Sequence, residues 1–215
     1  MGEPRNHSDT REHILRAALR SFAECGYAAA SVQRIVDDAK VSKPSLYYYF
    51  KDKAALFEAL VDRAHEERYE MLRSAAERGE TLDRKLEEIA TAMFEYALRN
   101  GALMRLGFAS AFAGPGEMPC PSKCKEKGKR NYDFVRSLLA AAQVSGELKE
   151  GFSPDDLAMG FYGQLTTYVV IGLLLPDIPL NRTSAQQIVK LFLDGARGRV
   201  KDSRVGRRKV KLAGG

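Results

Sequence analysis

Apolar side chains recur at helical spacing near the start of the chain. Ile14, Leu15, Ala18, Leu19, Phe22 and Ala23 share one side, and Gly26 ends the run. Asp9-Thr-Arg-Glu12 has the form of a capping box, so the pattern predicts a first helix from Thr10 to Cys25. Ser31 can cap a short second helix carrying Val32, Ile35 and Val36 to about Ala39. Ser42 can cap a third, and Pro44 is tolerated in its first turn because the N–H it lacks has no intrahelical acceptor there. Three short helices, the last two separated by only a few residues, outline a helix-turn-helix.

The periodicity continues to the carboxyl end. It predicts a long charged fourth helix from Asp52 through Glu77 and a fifth from Leu82 to Arg99 bearing Leu86, Ile89, Met93, Phe94 and Tyr96. A sixth helix, Ala102 to Ala113, carries Leu103, Met104, Leu106, Phe108 and Phe112, and a Gly- and Pro-rich loop follows from Gly114. The seventh is expected over about Lys125 to Val144, the eighth from Pro154 to Leu175 behind a Ser153 cap, and a ninth after Thr183. The fold class is therefore all-α, about nine helices, with a three-helix head and a larger helical body. The apolar run from Tyr168 to Leu175 is broken by Gly172 and stopped by Pro176. That is far short of the ~20 residues that span a bilayer, so it is assigned to core and no membrane partner is expected.

Within the third helix the stretch VSKPSLYYYFKDK, Val41 to Lys53, sets three tyrosines among lysines, a proline and two serines. At about 100° per residue, Leu46 and Phe50 fall on one face, Pro44, Ser45 and Tyr48 lie roughly opposite, and Tyr47 and Tyr49 take the flanks. Leu46 and Phe50 are then anchors against the first helix. Tyr48 has no reason to face inward, and beside Lys43, Pro44 and Ser45 it makes a surface for contact.

The run from Ile14 to Leu60, ILRAALRSFAECGYAAASVQRIVDDAKVSKPSLYYYFKDKAALFEAL, resembles the DNA-binding head of the TetR family of bacterial transcriptional regulators. The likeness lies in an I-L-x-A-A-x-x-x-F first helix, G-Y before the second, S-V-x-x-I-V within it, and V-S-K-P-S-L-Y-Y-Y-F-K-D-K-x-x-L beyond. One departure is Lys40, where the family usually has Gly in the turn before the third helix; a left-handed backbone there would cost about 1 kcal/mol.

The resemblance implies that the second and third helices form the helix-turn-helix and that the third lies in the major groove. Carried onto this chain, it places Ser31 at a phosphate and Gln33 within reach of a base edge, where its amide suits adenine. Lys43 suits guanine and Pro44 a thymine methyl, with Ser45 beside them; Tyr47, Tyr48 and Tyr49 serve phosphates and sugars, and Lys53 clamps a phosphate near the start of the fourth helix. It divides the chain into a DNA-binding domain (1–51), an effector-binding and dimerisation domain (52–198) and a basic tail (199–215). It further implies a homodimer built on the eighth and ninth helices, for which Gly160, Gly163, Gln164, Thr167, Tyr168, Leu191 and Phe192 are candidates. Any one of these apolar positions fits a core within one subunit equally well. Met93, Tyr96, Met104, Phe108, Phe112 and Tyr162 are candidates for lining a cavity that takes an apolar or aromatic effector, although plain core packing explains each of them too.

The expected function is that of a cytoplasmic, sequence-specific repressor bound to a pseudo-palindromic double-stranded DNA operator and released by a small molecule, with helix four as the lever. The competing reading is a DNA-binding protein whose body serves only for assembly or protein interaction, with no effector.

Composition changes this picture little. The net charge is +6, but the stretch from Arg197 to Lys211 holds eight Lys or Arg against Asp202 alone, which leaves the rest of the chain near −1. The case for DNA thus rests on local pattern, and the tail is better explained as a solvated end than as a dedicated nucleic-acid arm. Cys25, Cys120 and Cys124 are odd in number and scattered, as in a reduced cytosolic protein. Cys120 and Cys124, with prolines beside them and no nearby histidine, make a weak thiol or metal pair. No phosphate loop, HExxH, GxSxG or Ser-His-Asp arrangement is present, so neither an enzyme nor a cofactor is expected.

Overall fold

The computed structural model describes residues 7–111, 114, 119, 121–149 and 151–197, the side chains of 7, 8, 111 and 121–125 aside. Within them are nine α-helices and no strand: α1 (His7–Ala29), α2 (Val32–Ala39), α3 (Lys43–Tyr49), α4 (Lys53–Glu77), α5 (Leu82–Arg99), α6 (Gly101–Ala111), α7 (Pro121–Val144), α8 (Pro154–Leu174) and α9 (Arg182–Arg197). The expectations for Phe112, Cys120 and the 199–215 tail fall outside the described residues, as does the side chain of Cys124.

Local signals explain most boundaries. Ser31, Ser42, Asp52, Thr81 and Ser153 each accept a hydrogen bond from a backbone N–H in the first turn of the helix that follows. Ser153 and Asp156 complete a reciprocal capping box. Gly26, at φ 77 and ψ 168, breaks α1 where the sequence pattern ends. Two expectations fail. The capping box at Asp9 does not form, because α1 already begins at His7; Asp9 lies within the first turn and Glu12 turns to Arg63 on α4, 2.5 Å away. Helix α7 begins at Pro121, earlier than Lys125, since proline fits a first helical turn whose N–H groups have no acceptor.

Lys40 takes the left-handed conformation, φ 54 and ψ 48, at the end of α2. Its backbone N–H reaches back to the Asp37 and Val36 carbonyls, which is the closure a glycine makes without strain. Lys40→Gly is expected to raise stability by up to about 1 kcal/mol in urea unfolding, because removing Cβ relieves the left-handed strain faster than it adds chain entropy.

Two apolar clusters organise the helices. The head cluster joins Ile14, Leu15, Ala18 and Phe22 of α1 to Ile35 and Val36 of α2, Leu46 of α3 and Leu56, Phe57 and Leu60 of α4. Phe22, Tyr27 and Phe57 meet edge to face or tilted, with centroids 5.2–5.7 Å apart. Leu106 of α6 is buried in this same cluster, so α6 packs directly on the head. The body cluster is centred on α5, whose Leu86, Ile89, Met93, Phe94, Tyr96 and Ala97 pack against α4, α8 and α9. Helix α4 runs from one cluster to the other. Gly79 makes the turn from α4 into α5 possible: a Cβ there would stand 2.4 Å from the Lys85 amide nitrogen.

Candidate nucleic-acid interface

The amino ends of α2 and α3 carry most of the residues that sequence and resemblance single out. Ser31 Oγ accepts from the Gln33 amide at 3.2 Å, which leaves its hydroxyl proton available to a phosphate. Gln33 is exposed, and its Nε2 donates to Asp37 Oδ1 at 2.8 Å along the same helix. Ser42 Oγ accepts from the Ser45 amide at 3.2 Å, fixing the start of α3 so that Lys43 and Pro44 stand in solvent with Ser45 half-buried beside them.

The tyrosine triplet divides as its periodicity requires. Leu46 is fully buried and Phe50 nearly so, with the Arg11 guanidinium 5.3 Å from the centre of the Phe50 ring. Tyr48 is 75 % exposed and Tyr47 about half exposed, whereas Tyr49 packs on the head cluster and meets Tyr48 edge-on at 5.0 Å. A seven-residue helix held by Leu46 and Phe50 therefore presents two rigid phenols, a lysine and a proline outward. Those are groups that reach phosphates and base edges, the phenols and the proline at low entropic cost.

Lys53 is engaged differently from the phosphate clamp expected of it. Its Nζ donates to the carbonyls of Tyr27, Ala28 and Ala30 at 2.8, 3.1 and 3.1 Å and lies 4.5 Å from the centre of the Tyr27 ring. The break at Gly26 leaves carbonyls at the end of α1 without helical donors, and this ammonium caps them. The engagement spans up to 26 residues in sequence, which no local pattern reveals. The chain also forms a cleft of about 330 Å³ between α1 and the end of α2, lined by His13, Arg16, Arg20, Asp38, Ala39 and Lys40. The sequence gives Arg16 and Arg20 no role, because isolated basic positions on a helix look like solvated surface, and it singles out Lys40 only for its turn.

In the body, Met93, Tyr96 and Met104 are buried, and Phe108 and Tyr162 are half-buried against the same cluster. The Tyr162 hydroxyl donates to the Asn131 carbonyl at 2.8 Å, and burial pushes its pKa up. Tyr96 is pushed up to about 12, first by burial and then by the Glu67 carboxylate that its hydroxyl faces at 3.4 Å. His65 is pushed down to about 4 by burial and then by Arg68 and Lys127, so it is neutral at pH 7.

Helix α8 divides into two faces. Leu157, Ala158, Phe161, Leu165 and Val169 enter the body core, while Met159, Gly160, Gly163, Thr167, Ile171 and Leu174 are exposed. Leu191 on α9 is 69 % exposed. Of the interface candidates, Phe192 is buried against Phe161, and Tyr168 is half-buried, stacked on Phe94 at 6.1 Å. Both therefore contribute to this subunit's own core. Gln164 is half-buried, and its Oε1 has no hydrogen-bond partner among the described residues. Met159, Ile171 and Leu174 join the face unanticipated, because a helix that is apolar all round does not say which side meets the core. By length and composition alone α8 would suffice to cross a bilayer.

Comparison with known proteins places these features among relatives. Residues 14–60 match the family model described as bacterial regulatory proteins, tetR family. The HTH-type transcriptional regulator UidR of Escherichia coli K12 is 30 % identical over 146 residues, covering 68 % of this chain and 70 % of UidR. The nucleoid occlusion factor SlmA of Marinomonas sp. is 25 % identical over 153 residues, 71 % of this chain and 74 % of SlmA. Among solved structures, the transcriptional regulator FadR of Bacillus subtilis in complex with stearoyl-CoA superposes with a TM-score of 0.73 at 20 % identity, covering 86 % of this chain and 98 % of FadR.

Proposed function

Because the chain belongs to the TetR family and is a DNA-binding transcriptional regulator, we propose that it acts in the cytoplasm as a homodimeric repressor, released from a pseudo-palindromic operator by a small molecule. The observation that carries the DNA half of this reading is the α3 surface. Lys43, Pro44, Tyr47 and Tyr48 face solvent on a short helix whose opposite side, Leu46 and Phe50, is locked into the head. In the proposal Gln33, Lys43, Pro44 and Ser45 read base edges, and Ser31 with the tyrosines holds the backbone. The dimer half is supported by the unpartnered apolar face of α8 and α9, where a second copy would cover Leu174 and Leu191 while Gly160 and Gly163 allow close helix approach.

Two helices support coupling between body and head. Helix α4 spans both clusters, and Arg63 on it binds Glu12 of α1. Helix α6 places Leu106 in the head cluster while Met104 and Phe108 join the body cluster. A molecule that enlarges the space beside Met104 and Phe108 would therefore displace the helix that also supports the head. The lever is shared by α4 and α6, not α4 alone. A switch of this kind needs about 1 to 3 kcal/mol of differential binding.

The test is binding-site selection with the purified chain, followed by mutation on the selected duplex. Lys43→Ala and Gln33→Ala are each expected to cost about 1 to 3 kcal/mol on the preferred site and to relax preference at particular base pairs. Unchanged sequence preference in both variants would remove them from the reading set. Effector affinity unaltered by saturating operator would instead favour a body that serves only for assembly or interaction, since linkage requires the two ligands to weaken each other equally.

A further inference from the structure

Arg68 lies on α4 and is half-buried. Its neighbours along the helix, Asp62, Arg63, Glu66 and Arg73, each pair with an opposite charge. Among the described residues no carboxylate pairs with Arg68; its side-chain hydrogen bond runs from Nη2 to Nδ1 of His65 at 2.9 Å. An imidazole nitrogen can accept this bond but brings no negative charge, so the contact leaves the guanidinium without a counter-charge. Glu67, next in sequence, turns to Arg63 at 2.6 Å. Loss of solvation pulls the Arg68 pKa down, opposed by the Tyr96 and Tyr162 phenols.

A second observation points to the same place. Asn131 is only 4 % exposed, and its Oδ1 has no hydrogen-bond donor among the described residues. Its Nδ2 reaches the His65 carbonyl at 3.5 Å and its own carbonyl accepts from Tyr162. An unpaired cation and an unpaired acceptor thus stand among the same three helices, α4, α7 and α8, next to Tyr96. Arg68 is half-buried; a charge partly withdrawn from water without a counter-charge carries a cost that a ligand bringing the counter-charge removes.

We infer that the effector is an organic acid: its carboxylate pairs with the Arg68 guanidinium between Tyr96 and Tyr162, and its apolar body extends toward Met93, Met104 and Phe108. This rests on the proposed effector-responsive reading and deepens it by naming the chemical class. Met93 and Met104 share the body cluster with Tyr96, and Phe108 and Tyr162 pack against it, so apolar side chains of α5 and α6 belong to the same cluster as the two phenols. A planar guanidinium with two parallel N–H donors fits a carboxylate in a way that a lysine would not. Asn131 Oδ1 adds an acceptor for a hydroxyl or N–H donor beside the acid.

The test is calorimetric titration of the full chain, at one ionic strength, with two size-matched pairs: decanoate against 1-decanol, and 1-naphthoate against 1-naphthalenemethanol. At least one acid is expected to bind tenfold or more tightly than its alcohol, and Arg68→Gln is expected to bring that acid and alcohol within threefold of each other. Alcohols that bind as tightly as both acids, or no heat from either acid at millimolar concentration, overturns the inference; these wild-type comparisons stand even if the variant does not fold. Retention of the acid preference by folded Arg68→Gln overturns it as well. The same titrations repeated with saturating operator separate the two ideas. A preferred acid whose affinity ignores operator supports the site and removes the release mechanism, whereas loss of acid preference removes the site and leaves DNA recognition standing.

Discussion

Leu106→Ala is expected to destabilise the protein by about 2–5 kcal/mol, the range for emptying a buried leucine site. Leu106 is 3 % exposed and belongs to the head cluster with Phe22, Leu56 and Phe57, although it is carried by a body helix. The cavity would open at the seam between α6 and the head, where collapse is limited because α1 is held by α2 and α4 on its other sides. Equilibrium urea unfolding measures the loss. A second consequence follows in solution: with α6 no longer seated on the head, the mutual weakening between effector and operator should shrink, even when both bind. A stability change below about 1 kcal/mol, which is less than a buried methylene pair is worth, would show that Leu106 does not join the head core.

Lys53→Met is expected to lower stability by about 3 kcal/mol, because three carbonyls at the end of α1 lose a charge-assisted donor while the chain's apolar stem is kept. The same variant separates two roles for this ammonium. As a cap, its removal shows chiefly in urea unfolding and in weaker binding that recovers at low temperature. As a phosphate clamp, its removal lowers the slope of log affinity against log salt by about one unit and leaves the unfolding midpoint nearly unchanged. The geometry at Tyr27 to Ala30 leads us to expect the first outcome. Capping also links reading head to body, since Lys53 opens α4 and the carbonyls it holds close α1.

The sequence by itself determined the all-α class, the ends of α2, α4, α5 and α8 and the start of α3, the inward Leu46 and Phe50, and the outward Tyr48. Each of these is decided within a turn or two of chain. A serine, threonine or aspartate either reaches the N–H groups just after it or does not, and a 3.6-residue period either lines up apolar side chains or does not. The left-handed Lys40 was pointed to by the family resemblance, which usually has glycine in that turn, and not by any local pattern of this chain. Only the tertiary structure decided the rest. It showed Lys53 capping α1, Glu12 held by Arg63 instead of its own helix start, Leu106 leaving the body for the head, and Phe192 facing inward where Leu191 faces out. It also left Arg68 without an acid while every charge around it along α4 found one. Partners for a long side chain are chosen by whichever helix packs beside it, tens of residues away. The spacing of residues along one helix states what a side chain can do and carries no record of what that packing brings within its reach.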